Sequence, residues 1–384
     1  MTGTSNFKVL SIFGTRPEAI KMAPVIKKLE SCPDIESRVV VTAQHREMLD
    51  QVLATFQIKP DYDLAVMRPG QNLFDVTEAV LRGLHGVLEV EQPDMVLVQG
   101  DTTTTFAGAL AAFYCRIPVG HVEAGLRTYQ KYSPYPEEIN RVLTTQLADL
   151  HFAPTLKARD ALLQEGIGAD YIFITGNTVI DALHLAMEQP FSLDFEISRA
   201  FRENKRVILL TTHRRENLGS PLQDVYMALR HVLSSHPDVG VVFPVHKNPA
   251  VRREVAKVLT GIERVYLTEP LDYLPFINVM KKSYLVLTDS GGIQEEAPAL
   301  GKPVLVLREV TERPEAISFG TARLIGTDSR QVEEQVSLLL DNEEEYLQMA
   351  NAVNPYGDGM AAERIIQAIY AYFGSGDKPE DFSP

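Results

Sequence analysis

The chain has 384 residues, 45% of them hydrophobic and 23% charged, and carries a formal net charge of −14. Such a length exceeds what one core organises, so two domains of roughly 150 to 200 residues each are expected. No run approaches the roughly 18 apolar residues of a membrane span, and the acidity argues against a nucleic-acid surface, which needs clustered Lys and Arg.

Met1-Thr-Gly-Thr-Ser-Asn6 leads straight into an apolar strand, with no basic and then apolar leader, so a cytoplasmic location is expected. Cys32 and Cys115 fit no metal spacing and read as reduced thiols. The first strand, Val9–Phe13, gives way to Gly14-Thr15-Arg16-Pro17 and a helix over Pro17–Leu29. Proline suits a first helical position, and Arg16 before it with Lys21 one turn inside would suit a diphosphate: the guanidinium gives a planar fork, the ammonium a point charge. Cations on a solvated face are the plainer reading. After a strand at Val39–Thr42 and a helix at Phe74–Glu89, the strand Met95–Gln99 ends at Gly100-Asp101. Asp101 can cap the helix Thr103–Tyr114, act as a base, or do both. Strand Pro118–His121 delivers Glu123, with Arg127 as a possible ion-pair partner; Tyr135-Pro136-Glu137 opens a helix with Glu137 and Arg141 at i, i+4. Three carboxylates converging at strand ends shift one another's pKa values and can divide acid and base roles.

Strand Ile172–Thr175 closes the first series, and a break at Gln189-Pro190-Phe191-Ser192 precedes a second: Val207–Thr212, Val239–Val245, Val265–Thr268, Leu285–Thr288 and Val304–Leu307. Alternating strands and helices specify an α/β fold, with parallel sheets covered on both faces. His213, Arg214 and Arg215 end the first of these strands and suit a phosphate; His246-Lys247 repeats the idea more weakly. Leu285–Thr288 runs into Asp289-Ser290-Gly291-Gly292 and then Glu295-Glu296. Unpaired backbone N–H groups at a helix start, two glycines and a carboxylate one turn on read as a seat for diphosphate and ribose; an ordinary turn with Asp289 near the N-cap is the alternative. The domains expected are 1–180 for the sugar and the carboxylates and 181–357 for the nucleotide. A last helix, Ala361–Phe373 within 358–384, would pack back on the first domain. Ligands of open parallel sheets sit at the carboxyl ends of strands, which puts one ligand in the cleft between domains. No Gly-x-Gly-x-x-Gly follows the first strand, and neither a Walker motif nor a zinc spacing occurs, so no cofactor and no metal are expected.

Taken together, GTRPEAIKMAP at 14–24, TAQHREMLDQV at 42–52, GDTTTT at 100–105, GHVEAGLRT at 120–128, PEEINR at 136–141, ITGNTVIDAL at 174–183, HRREN at 213–217, DSGGIQEEAP at 289–298 and TERPEA at 311–316 resemble the non-hydrolysing UDP-N-acetylglucosamine 2-epimerases, in family order over nearly the whole chain. The resemblance implies a GT-B-like pair of Rossmann-like domains, a homodimer, and UDP-N-acetylglucosamine and UDP as ligands. It places Arg16, Arg214, Phe276, Ser290, Gly291, Gly292, Glu296 and Arg313 on UDP, with Phe276 against uracil and Glu296 on ribose. Lys21, Asp101, Glu123, Glu137, Arg141 and His213 would surround the sugar and the leaving group. A second, activating substrate molecule in some members would meet Gln44, His45 and His246. Glu47 and Gly70 stand where those members would have Gln and Arg, which argues against such activation here.

The chemistry this implies needs no nicotinamide. The C2 proton of the sugar is not beside a carbonyl, but early departure of UDP from C1 leaves an oxocarbenium-like centre that acidifies it, and a carboxylate can remove it to give 2-acetamidoglucal. Spacing does not say which of Asp101, Glu123 and Glu137 is base and which acid, although a capping Asp101 favours the base role. A hydrolysing epimerase and a UDP-sugar glycosyltransferase are the alternatives.

Overall fold

The computed structural model describes residues 7–43, 46–68, 70–214 and 217–384, with the side chain of Glu47 left aside. The chain divides into two compact units: one runs to Ala186 and regains the chain at Tyr356–Pro384, and the other is Met187–Pro355.

In the first unit seven parallel strands lie in the order β3-β2-β1-β4-β5-β6-β7: β1 (Phe7–Phe13), β2 (Ile35–Val41), β3 (Tyr62–Asp63), β4 (Met95–Gln99), β5 (Val119–Val122), β6 (Leu150–Ala153) and β7 (Ile172–Ile174). Six more form the sheet of the second unit in the order β10-β9-β8-β11-β12-β13: β8 (Arg206–Thr211), β9 (Val239–Pro244), β10 (Val265–Thr268), β11 (Leu285–Thr288), β12 (Val304–Val306) and β13 (Ala322–Leu324), again all parallel. Helices link successive strands, so both sheet faces are covered and the central strands can be apolar throughout. Leu10 and Ile12 of β1 pack with Val80 and Leu84 in one core; Ile208 and Leu210 of β8 pack with Leu229 and Phe243 in the other. The strands that hydropathy passes over are short or polar: β3 has two residues, β6 carries His151, and β13 carries Arg323.

Strand order reverses between β1 and β4 in one sheet and between β8 and β11 in the other. At such a reversal the loops after the two strands diverge to opposite faces and leave a crevice at their carboxyl ends. Gly14 to Arg16 and Gly100-Asp101 follow the first pair of strands; His213-Arg214 and Asp289-Ser290 follow the second.

The returning segment is fastened to the first unit. Asp181 accepts hydrogen bonds from the backbone N–H groups of Ala361 (3.2 Å) and Ala362 (2.8 Å), the first turn of the helix Ala361–Tyr372. Burial pushes the Asp181 carboxyl up to about 6. Ile174 on β7 exchanges bonds with the Asp381 side chain and the Phe382 backbone, and the Phe7 and Phe373 rings stack at 4.5 Å. Gly176 and Gly357 meet where a Cβ on the former would lie 3.2 Å from the latter's Cα, and both have positive φ, so a side chain at Gly176 would be both crowded and strained. Among the described residues no helix is long and apolar enough to cross a membrane.

Candidate active site

In the first unit the loops on either side of the reversal hang on one carboxylate. Buried Glu18 accepts the backbone N–H groups of Gly14 (3.1 Å) and Thr15 (2.7 Å) and the hydroxyls of Thr102 (2.7 Å) and Thr105 (3.1 Å). Burial raises its pKa, and hydrogen bonds from Thr102, Thr15 and Gly14 pull the other way. A Cβ on Gly14 would lie 2.0 Å from Thr42 Oγ1, so only glycine fits beneath this loop. The Arg16 side chain, thus placed, makes no hydrogen bond or ion pair among the described residues, and its fork stands available.

Asp101 does not cap the helix that follows. Thr102 does, accepting the Thr105 N–H at 3.2 Å, because the hydroxyl sits one residue nearer the first turn. The Asp101 carboxylate instead meets the Arg141 guanidinium, and Asn140 Nδ2 donates to the Asp101 carbonyl at 3.0 Å. Asp101 therefore gains no base character from a capping position. Arg141 also bonds Glu138 at 3.2 Å, whose carboxylate fixes the N–H groups of Thr128 (3.0 Å) and Tyr129 (2.8 Å). With Arg141 turned to these two partners, the expected pair with Glu137 does not form, and one Glu137 carboxylate oxygen is buried without a hydrogen-bond partner among the described residues.

Glu123 follows β5 in the left-handed region, at φ 63°. Its carboxylate meets the Lys21 ammonium and accepts Asn177 Nδ2 at 2.9 Å. Arg127 is not its partner: that guanidinium, almost wholly buried, forks onto Glu165 at 2.6 and 2.8 Å. Below, His121 donates from Nε2 to the Gly100 carbonyl at 2.7 Å. Burial holds its imidazole down at about 3 and that of neighbouring His151 at about 4, so both are neutral at ordinary pH. The first unit thus gathers Arg16, Lys21, Asp101, Glu123, Glu137 and Arg141 at the carboxyl ends of β1, β4 and β5 and at the next helix start.

The second unit gathers His213, Arg214, Ser290, Gly291 and Gly292 beyond β8 and β11. Asp289 does not cap the helix Ile293–Ala299; fully buried, it reaches back to the loop after β8. It accepts the N–H groups of His213 and Arg214 at 2.9 Å each and lies 3.1 Å from His213 Nδ1. These donors outweigh burial and hold its pKa below the ordinary carboxylate value. Glu312 bonds Arg214 (2.8 Å) and Arg308 (2.5 Å), which keep it ionised down to about 2 against a burial penalty. Its Oε1 lies where a Cβ on Gly291 would be only 2.8 Å away, so a side chain there would displace the Glu312 carboxylate. Arg313 meets Glu295, whereas Glu296 is buried on the same helix and Phe276 is half-buried on the helix Tyr273–Lys282. His246 stacks on His213 with ring centroids 5.9 Å apart, and burial lowers its pKa.

Gln44 and His45 lie outside the described residues, as do Arg215 and Glu216 and the side chain of Glu47. Gly70 has φ +82°, a conformation an arginine would adopt only under strain. Four supporting groups emerge only in the folded chain: Glu18, Asn177, Asp289 as a loop anchor, and Glu312. Only Glu18 had a legible signal, since Thr15-x-x-Glu18 has capping-box spacing. Asn177 and Asp289 act across tens of residues of sequence, as does Glu312 on Arg214.

The family model described as UDP-N-acetylglucosamine 2-epimerase matches residues 27–370. A UDP-N-acetylglucosamine 2-epimerase of Salmonella typhimurium is 56% identical over 371 residues, covering 95% of this chain and 99% of that protein. A crystal structure of UDP-GlcNAc 2-epimerase from Neisseria meningitidis bound to UDP-GlcNAc superposes with a TM-score of 0.86 at 50% identity, over 95% of this chain and 100% of that one. The Methanocaldococcus jannaschii enzyme in complex with UDP-GlcNAc and UDP does so with a TM-score of 0.76 at 34% identity, over 95% and 99% of the two chains. The two parallel-sheet units are thus of the GT-B-like kind.

Proposed function

We propose, since this chain belongs to the UDP-N-acetylglucosamine 2-epimerase family, that it interconverts UDP-N-acetylglucosamine and UDP-N-acetylmannosamine by eliminating UDP and adding it back. The observation that carries this reading is the set of three carboxylates in the first unit, each in a different state of partnership. Asp101 is tied to Arg141 and Glu123 to Lys21, whereas Glu137 presents a buried oxygen with no partner among the described residues. Groups so differently held can divide proton removal from proton delivery.

In the first half-reaction the C1–O bond to UDP breaks, its electron pair leaves with the diphosphate, and one carboxylate takes the C2 proton as the C1–C2 double bond of 2-acetamidoglucal forms. In the second, a proton is delivered to the opposite face of C2 and UDP re-forms the bond to C1, so no hydride moves. Arg16, Arg214 and His213 serve as the cationic clamp that keeps the departed UDP in place, and Arg313 and the Ser290-Gly291-Gly292 backbone add to its seat. Phe276 and Glu296 serve the uracil and the ribose.

Proton NMR of the purified protein with UDP-N-acetylglucosamine in D2O tests the mechanism. Deuterium at C2 of the product, no requirement for added NAD or metal, and traces of free UDP and 2-acetamidoglucal are expected. Protium retained at C2 would sink elimination, and free N-acetylmannosamine as the main product would make the enzyme a hydrolysing one.

The same reading makes the chain a homodimer. Its support is an apolar groove of about 850 Å³ on the first unit, lined by Leu73, Phe74, Leu81, Phe106, Tyr132 and Tyr135, with Phe74 87% exposed. An exposed apolar patch of this kind marks an interaction surface. Sedimentation equilibrium should give twice the chain mass, reduced by Phe74→Asp; a monomer at micromolar concentration would overturn it.

A further inference from the structure

We infer that Asp289 is the positioning residue of His213: it fixes the proton of the imidazole on Nδ1 and turns Nε2 toward the ligand. The inference rests on the clamp role proposed above for His213, and adds a residue that acts only through it. Three observations within the second unit carry it. Asp289 is fully buried, although its pKa is lowered and it is therefore an anion. Among the described residues its side-chain donors come from one short loop: the backbone N–H groups of His213 and Arg214 at 2.9 Å, Asn217 Nδ2 at 3.3 Å, and His213 Nδ1 at 3.1 Å. A carboxylate without a proton can only accept, so the Nδ1 facing it must carry hydrogen. The side chain of His213 is 40% exposed, so the far edge of the ring, with Nε2, is the part that a ligand can reach.

The neighbouring ring has the opposite state. His246 Nδ1 accepts the Asn248 N–H at 3.1 Å, which puts its neutral-ring proton on Nε2. Two stacked imidazoles 5.9 Å apart are thus held in opposite tautomers by different partners, an arrangement that the stacking itself does not require. A histidine held from behind by a buried carboxylate can carry positive charge on its outer edge at the moment a leaving group needs it, because the compensating charge is already in place.

Long-range 1H–15N correlation of the histidine rings tests the assignment. At about pH 8.5, some two units above the ordinary histidine value, His213, identified by the signal lost in His213→Asn, should carry its proton on Nδ1 in the full-length protein. A proton on Nε2 alone overturns the proposal, whether or not the enzyme turns over UDP-sugars. Asp289→Asn offers the amide oxygen to the backbone N–H groups and points its NH2 at Nδ1, so the ring should switch to the Nε2 tautomer. The kcat should fall about a hundredfold with KM for UDP-N-acetylglucosamine little changed, because the extra charge on the diphosphate develops only as it departs. An unchanged tautomer, or a variant whose kcat matches the wild type, counts against Asp289. Should Asp289→Asn fail to fold, the wild-type spectrum still decides. Absence of epimerisation in the wild type would remove the proposed function while leaving the tautomer assignment standing.

Discussion

The two units repeat one architecture and put opposite chemistry on it. Each is a parallel sheet whose strand order reverses once, and each carries its notable residues on the loops after the two strands at that reversal. In the first unit those loops and the ones beside them hold carboxylates against cations of the same unit, Lys21 on Glu123 and Arg141 on Asp101. In the second the acid goes underneath: Asp289 is buried and serves the backbone, while His213 and Arg214 are what the loop presents. On the proposed function, one scaffold is divided into a half that moves protons and a half that holds an anion. The difference lies in which side chain faces out of the crevice, and hardly at all in the strands.

The largest effects should come from breaking the first half. Asp101→Asn, Glu123→Gln and Glu137→Gln should each lower kcat about a hundredfold or more if the groups transfer protons, with UDP affinity by calorimetry little changed. A variant that loses UDP affinity and keeps kcat would put that carboxylate on the binding side. Arg16 is where the division is sharpest to test, because it lies in the carboxylate half and is proposed to serve the nucleotide. Arg16→Ala and Arg214→Ala should each weaken UDP about tenfold to a hundredfold, the worth of a charge-assisted bond of about 1.5–3 kcal/mol. Unchanged UDP affinity in Arg16→Ala would return that residue to the proton-moving half.

Stability should divide the units as well. His121 and His151 are neutral in the folded first unit because burial lowers their pKa values to about 3 and about 4, whereas the unfolded chain protonates them near 6.5. The unfolded state then binds more protons below pH 6.5, so this contribution is complete above 6.5 and is lost as pH falls toward 4, at about 1.4 kcal/mol per pH unit for each histidine. Hydrogen exchange at pH 5 should show protection falling first around β4 to β6, and His121→Gln should flatten the dependence; equal loss in both units would show that the two histidines do not govern it. The smallest expected effect is on kinetic shape. With Glu47 and Gly70 in place of two contacts, initial rate against UDP-N-acetylglucosamine should be close to hyperbolic, and a pronounced sigmoid would mean that other residues maintain an activating site.

What the sequence determined by itself was the architecture and the roll of candidates. A strand buried on both faces must be apolar along its length, so β1, β4, β8 and β11 announce themselves, and the polar residues that follow them are conspicuous by contrast. Local chemistry also made Pro17 legible as a helix start. Pairing was not, because hydrogen bonds and ion pairs join groups that are neighbours only after folding. Asp101 meets Arg141 and not its own helix; Glu123 meets Lys21 and Asn177 and not Arg127; Arg141 turns from Glu137 to Glu138 and Asp101. Asp289, which looks from the sequence like part of a helix start, anchors a loop 76 residues away. Hydrophobic periodicity is a property of the chain and survives in one dimension, whereas the partner of a buried charge is set by which loops the sheet order brings side by side, and that order exists only in the folded molecule.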